Sequence, residues 1–114
     1  MTEKLVTLYR PCGQNEYDLV AASGFKRWPP ILPEQPIFYP VTNEQYAFEI
    51  NEWNVTEFGK GYVTRFYVKE SFMSKYKVET VGSSRHTEWW IPAEDLQKMN
   101  DNIVGVIEII NEEP

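Results

Sequence analysis

Between Trp28 and Pro40 the chain reads Trp-Pro-Pro-Ile-Leu-Pro-Glu-Gln-Pro-Ile-Phe-Tyr-Pro, five prolines in thirteen residues. Each proline fixes φ and removes an amide donor, so no helix runs through this segment and no central strand can use it. It is either a linker between units or an ordered loop. Trp28, Ile31 and Leu32 favour a loop that packs, because flexible linkers are polar. At its end, Ile37-Phe38-Tyr39 has the composition of a short edge strand.

On the amino-terminal side, Lys4 to Arg10 is rich in β-formers and is stopped by Pro11 and Gly13, which predicts a first strand. Asn15 offers a helix cap with Asp18 three residues later. Tyr17, Val20 and Ala21 then fall at helical spacing up to Gly24, a residue suited to a left-handed helix end. The expectation is a short helix over about 15–23.

Beyond the prolines, Thr42-Asn43-Glu44-Gln45 matches a capping box with Thr42 as the cap. Tyr46, Ala47, Ile50 and Trp53 form an apolar stripe that leaves Glu44, Glu49 and Glu52 outside, which predicts a helix. Tyr62 to Val68 reads as a strand, and residues 70–75 as a helical turn. Tyr76 to Val81 and Arg85 to Ile91 flank Gly82-Ser83-Ser84 as an antiparallel hairpin. Pro92 opens a further helix, and Ile103 to Ile110 is apolar enough for a central or heavily covered strand. The order β-α-β-α-β-β-β-α-β means α+β, a mostly antiparallel split sheet with two or three short helices.

A length of 114 residues fits one domain, 1–114. Aromatic residues make up 15%, more than a minimal core requires, so some rings are expected to line a groove or an interface. The net charge of −6 disfavours general nucleic-acid binding through a broad phosphate-neutralising surface. A local basic pocket from Arg65, Arg85, Lys75 and Lys77 is the exception to look for. Cys12 is the sole cysteine, either a reactive thiol beside Pro11 and Gly13 or, on the preferred reading, a small buried residue. One cysteine and one histidine leave no metal site. No run approaches the roughly 20 apolar residues that span a bilayer, and the first residues lack a signal-peptide core. The expected setting is cytoplasmic, with no membrane partner.

Chemistry concentrates in Arg85 to Pro92, which holds the only histidine, His86, and a carboxylate two residues later, Glu88. In an extended strand His86 and Glu88 share a face. Glu88 can act as a base or steady developing positive charge, and His86 titrates near neutrality and can assist. The same spacing suits a solvated strand face. Arg10 ends the first strand and carries a planar fork for phosphate or carboxylate. Tyr39 and Tyr46 flank a helix start and can sandwich a flat heterocycle, or serve as core. Thr42 and Asn43 at that helix start can offer free amides to an anionic group.

Leu8-Tyr9-Arg10, Ser23-Gly24-Phe25, Pro33 to Val41, Tyr62 to Phe66 and Glu88 to Glu94 resemble a family of small bacterial proteins named for ADP-ribosylation or crystallin. The resemblance covers nearly the whole chain. The element order is also similar to the ADP-ribosyltransferase-like fold of toxins and of the RNA 2′-phosphotransferase. That resemblance implies NAD as substrate and no metal. Arg10 would hold its ribose or phosphate, Tyr39 and Tyr46 would stack on nicotinamide, and Glu88 would stabilise an oxocarbenium-like state. The chain is shorter than most active members and leaves little room for a target-recognition loop. Fold analogy does not carry chemistry by itself. The alternative is a non-catalytic module that uses the same groove for a small nucleotide or a protein partner.

Overall fold

Leu5–Cys12 (β1) pairs antiparallel along its whole length with a later strand, from Leu5 opposite Lys69 to Cys12 opposite Tyr62. The computed structural model in which this is seen describes residues 4–30, 37–59, 61–80 and 86–113. After β1 come Gln14–Ala22 (α1), Ile37–Phe38 (β2), Glu44–Phe58 (α2), Gly61–Lys69 (β3) and Glu70–Met73 (α3). Val78–Thr80 (β4), Thr87–Trp89 (β5), Ile91–Pro92 (β6), a 3₁₀ turn Ala93–Asp95, Leu96–Asp101 (α4) and Ile103–Glu113 (β7) complete the order. The architecture is mixed α+β with antiparallel sheets and a few helices.

The central strand among these is β3, with β1 on one side and β7 on the other. Its residues are the most uniformly buried, because both its faces and both its edges are covered. The end of the proline segment extends the sheet beyond β1. Val41 exchanges two backbone bonds with Tyr9, 3.0 and 2.7 Å, and stands opposite Glu88 on its other side. Phe38 faces Ile91 and Ile37 faces Pro92. Trp89 donates to the carbonyl of Pro40 at 2.8 Å, and Thr42 to that of Thr87 at 3.1 Å. All these pairings share one register, so 37–42 and 87–92 form a single antiparallel ladder. Proline supplies no amide, yet at Pro40 only the carbonyl is needed.

Strand alternation then sorts the side chains onto two faces. Leu8, Cys12, Trp28, Phe38, Phe66 and Ile91 fill the larger core, which α1 covers with Val20. Val41, Ala47 and Val63 form the smaller core under α2, with Tyr9, Tyr46 and Ile50 packed against it. Fully burying a side chain such as Leu8 or Phe66 stabilises by about 1.5–3 kcal/mol, so the larger face dominates the fold. Trp28 is locked there by Asn100, whose amide accepts from the Trp28 N–H at 2.8 Å and donates to its carbonyl at 2.9 Å.

Several expectations need correcting. The helix cap is Asn43, which accepts from the Tyr46 amide at 2.8 Å. Thr42 is drawn instead to the Thr87 hydroxyl across the ladder. The first helix starts at Gln14, behind Gly13, rather than at an Asn15 cap. Its end matches: Gly24 has φ 79°, with Gly24 bonded back to Ala21 and Phe25 to Val20, the paired closure of a Schellman motif. Trp53 is 59% exposed and does not join the buried stripe of α2. The apolar β7 is paired with β3 alone among the described residues, and leaves Val104 and Val106 38% and 46% exposed. The carboxy-terminal hairpin strand divides into β5 and β6. Ile31, Leu32, Arg85 and the turn at 82–84 lie outside the described residues.

Candidate binding face around Glu88

Alternation along 86–90 puts His86, Glu88 and Trp90 on the α2 side of the ladder. Glu88 is only 8% exposed, and its two oxygens are each held. The Tyr46 hydroxyl donates to Oε2 at 2.8 Å and the Trp90 indole N–H donates to Oε1 at 2.9 Å. Both donors are neutral, and together they hold the carboxylate in position. Tyr46 reaches it because Asn43 caps α2 and aims the first turn of the helix at β5.

The Tyr46 phenol is pushed up to about 12 by burial, reinforced by its bond to Glu88 and that carboxylate's charge. It is therefore a proton donor at neutral pH. The His86 ring stacks on Tyr46 with centroids 4.5 Å apart and planes 15° from parallel. Its Nε2 lies 2.8 Å from Glu49 Oε2, one turn further along α2. The ladder register carries Tyr39 opposite Trp90, and the two rings are 46% and 42% exposed. Exposed Tyr39 and Trp90 thus share the ladder face that carries the mostly covered Glu88 carboxylate.

Arg10 is elsewhere. It shares a face with Leu8 and Cys12, on the α1 side of the sheet, whereas Glu88 shares the row of Tyr9 and Val41. There its guanidinium makes a two-pronged pair with Glu16, Nε to Oε1 at 2.6 Å and Nη2 to Oε2 at 3.0 Å. It also lies 4.4 Å from the Phe38 ring centre and 5.6 Å from that of Trp28. Burial works against its charge, yet the field and hydrogen bonds of Glu16 outweigh burial and raise its pKa. Burial, then the charge of Glu16, pushes the neighbouring Cys12 thiol up to about 12, which removes it as a neutral-pH nucleophile.

Of the residues singled out from sequence, the structure brings together Glu88, Tyr46 and His86, with Tyr39 on the same ladder face and Asn43 as the cap that orients Tyr46. Arg10 is not joined to them, because one residue along a strand is the difference between two faces. Glu16, Glu49 and Trp90 were not expected. For Trp90 the signal was present, the same two-residue step that links His86 to Glu88. Of the residues proposed for a basic pocket, Arg65 pairs with Glu108 at 2.9 Å and Lys75 lies over Phe72, while Arg85 is outside the described residues. Among the described residues no group of three His, Cys, Asp or Glu side chains could hold a metal ion. In those residues no helix is long and apolar enough to cross a membrane. No protein-family model, no curated protein and no solved structure matches the chain.

Proposed function

We propose that this is a non-catalytic binding domain of ADP-ribosyltransferase-like character, taking NAD or a related nucleotide on the Glu88 face. One observation carries the reading: Glu88 is held by Tyr46 and Trp90 on the ladder face that also carries the exposed Tyr39. A carboxylate so placed can accept from a donor on a flat ring, such as a carboxamide or an exocyclic amine, while Tyr39 and Trp90 supply stacking surface. The separation of Arg10 from that face argues against a catalytic cleft built from both.

ADP-ribosyl transfer is the second reading. It is favoured by the position of Glu88, a late-strand carboxylate bonded to Tyr46, and would use that carboxylate against an oxocarbenium-like state.

Incubation with NAD separates the two. The binding reading expects a rise in melting temperature that grows with NAD concentration, with no nicotinamide released beyond the buffer rate. Release that disappears in Glu88→Gln would replace it with the transfer reading. No thermal shift and no release would sink both.

A further inference from the structure

Tyr9 packs toward α2, and alternation carries Leu5 and Thr7 onto the same side of β1. Opposite these three stand Lys69, Tyr67 and Arg65 of β3, and opposite Tyr67 and Arg65 stand Val104 and Glu108 of β7. On this side of the sheet α2 covers the far end of the strands, where Ala47 meets Val41 and Val63. The Leu5 end is open. Leu5 and Val104 are 41% and 38% exposed, and the Arg65 and Glu108 side chains 35% and 40%. A sheet face that meets water is ordinarily polar by alternation, whereas this one sets Leu5, Tyr67 and Val104 among its charges. Its rows are also self-complementary. Each pairs a cation or a large ring on β3 with an anion or a small side chain on β7: Arg65 with Glu108, Tyr67 with Val104.

We propose that this face joins two copies of the chain in a weak isologous dimer, sheet on sheet. A two-fold axis running along the strands, midway between β3 and β7, lays β3 of one copy over β7 of the other at equal height. Arg65 then meets the partner's Glu108 and Tyr67 meets the partner's Val104, each contact made twice. Leu5, one strand further out, closes over the outer edge of the partner's β7, which is unpaired among the described strands. The chain carries −6 overall, yet this face sets Lys69 and Arg65 against Glu108, so its acidic excess lies away from the contact. Few apolar side chains take part, which places the contact among small, reversible interfaces. The dimer is independent of what the Glu88 face binds.

Sedimentation velocity on the whole chain, from roughly 5 μM to roughly 500 μM, should show a monomer passing reversibly to a dimer with rising concentration. Arg65→Glu or Glu108→Arg alone sets like charges against each other in both contacts and should weaken the dimer at least tenfold. Both reversals together rebuild the pair in the opposite sense and should return the dissociation constant to within about threefold of the wild type. The Arg65–Glu108 pair within one chain is exposed and adds little to stability, so these variants should melt close to the wild type. Val104→Lys leaves both charges in place and should also weaken the dimer at least tenfold, which keeps the test open if a charge variant folds poorly. A wild type that stays monomeric at the highest concentration overturns the proposal. So does a dimer that Val104→Lys and the single reversals leave intact, since its interface then lies elsewhere. Weakening by each single reversal without rescue by the double overturns the reciprocal arrangement.

Discussion

The Tyr46 hydroxyl donates to Glu88 Oε2 at 2.8 Å, tying the first turn of α2 to β5 across forty-two positions of sequence. Tyr46→Phe removes this donor and leaves a covered carboxylate with one of its two partners. We expect a loss of roughly 1–3 kcal/mol, seen as a lower urea midpoint with an unchanged m-value. Glu88 will then be less rigidly placed, and NAD should bind several-fold more weakly.

Alkaline pH should unfold the protein earlier than its composition suggests. Tyr46 and Tyr76 are both raised to about 12, by burial first and then by their bonds to Glu88 and Asp95, and Cys12 is raised to about 12 by burial. Each group binds its proton more tightly when folded. Their stabilisation is complete below the unfolded values, near 9.0 for the thiol and 10.0 for the phenols, and is lost as pH rises toward 12. Melting temperatures measured from pH 8 upward should fall with a slope that Tyr76→Phe makes shallower. An unchanged slope would remove the phenols from this account.

Gly61 starts β3 where its backbone meets the buried Asn51 amide and the Asn54 side chain. A Cβ at that position would sit inside van der Waals contact with the Asn51 oxygen. Gly61→Ala is therefore expected to destabilise by about 1–3 kcal/mol through overpacking, readable by thermal denaturation. Stability equal to the wild type would mean that α2 and β3 approach each other less closely than described.

Arg10 provides the control for the two faces. Its pair with Glu16 is partly covered, with side chains 16% and 25% exposed, so removing one partner leaves the other poorly matched. Arg10→Gln should lower stability while leaving the dissociation constant for NAD within about twofold. Adding Glu16→Gln should restore part of the stability. A tenfold loss of NAD affinity in Arg10→Gln alone would return Arg10 to the site.

What the sequence disclosed follows the range of each signal. Local signals held: Ile37-Phe38 at the end of the proline segment is a short strand, Gly24 marked the end of α1, and Tyr62 to Val68 formed the strand now bounded by Gly61 and Lys69. Pairing was not legible, because the row Tyr9–Val41–Glu88 joins three distant segments by backbone bonds that carry no side-chain signature. The same limit explains the misplacement of β7. Eight apolar residues cannot say whether a strand lies at the centre or at the edge, and β3 took the centre. Glu88, Tyr46 and His86, singled out by residue type and spacing, do stand together. The exclusion of Arg10 was not, since it depends on which face of β1 turns toward α2. Glu49 and Glu16 gave no signal beyond being charged residues on helices, the commonest pattern on any solvated face.

The most direct test of the central claim reads the four tryptophan indole N–H signals by NMR during an NAD titration. Trp90 donates its indole proton to Glu88, while Trp28 lies beneath Arg10 on the opposite face. The account expects the Trp90 signal to move saturably and the Trp28 signal to stay. Movement of Trp28 with Trp90 fixed would place the ligand on the Arg10 side and contradict it.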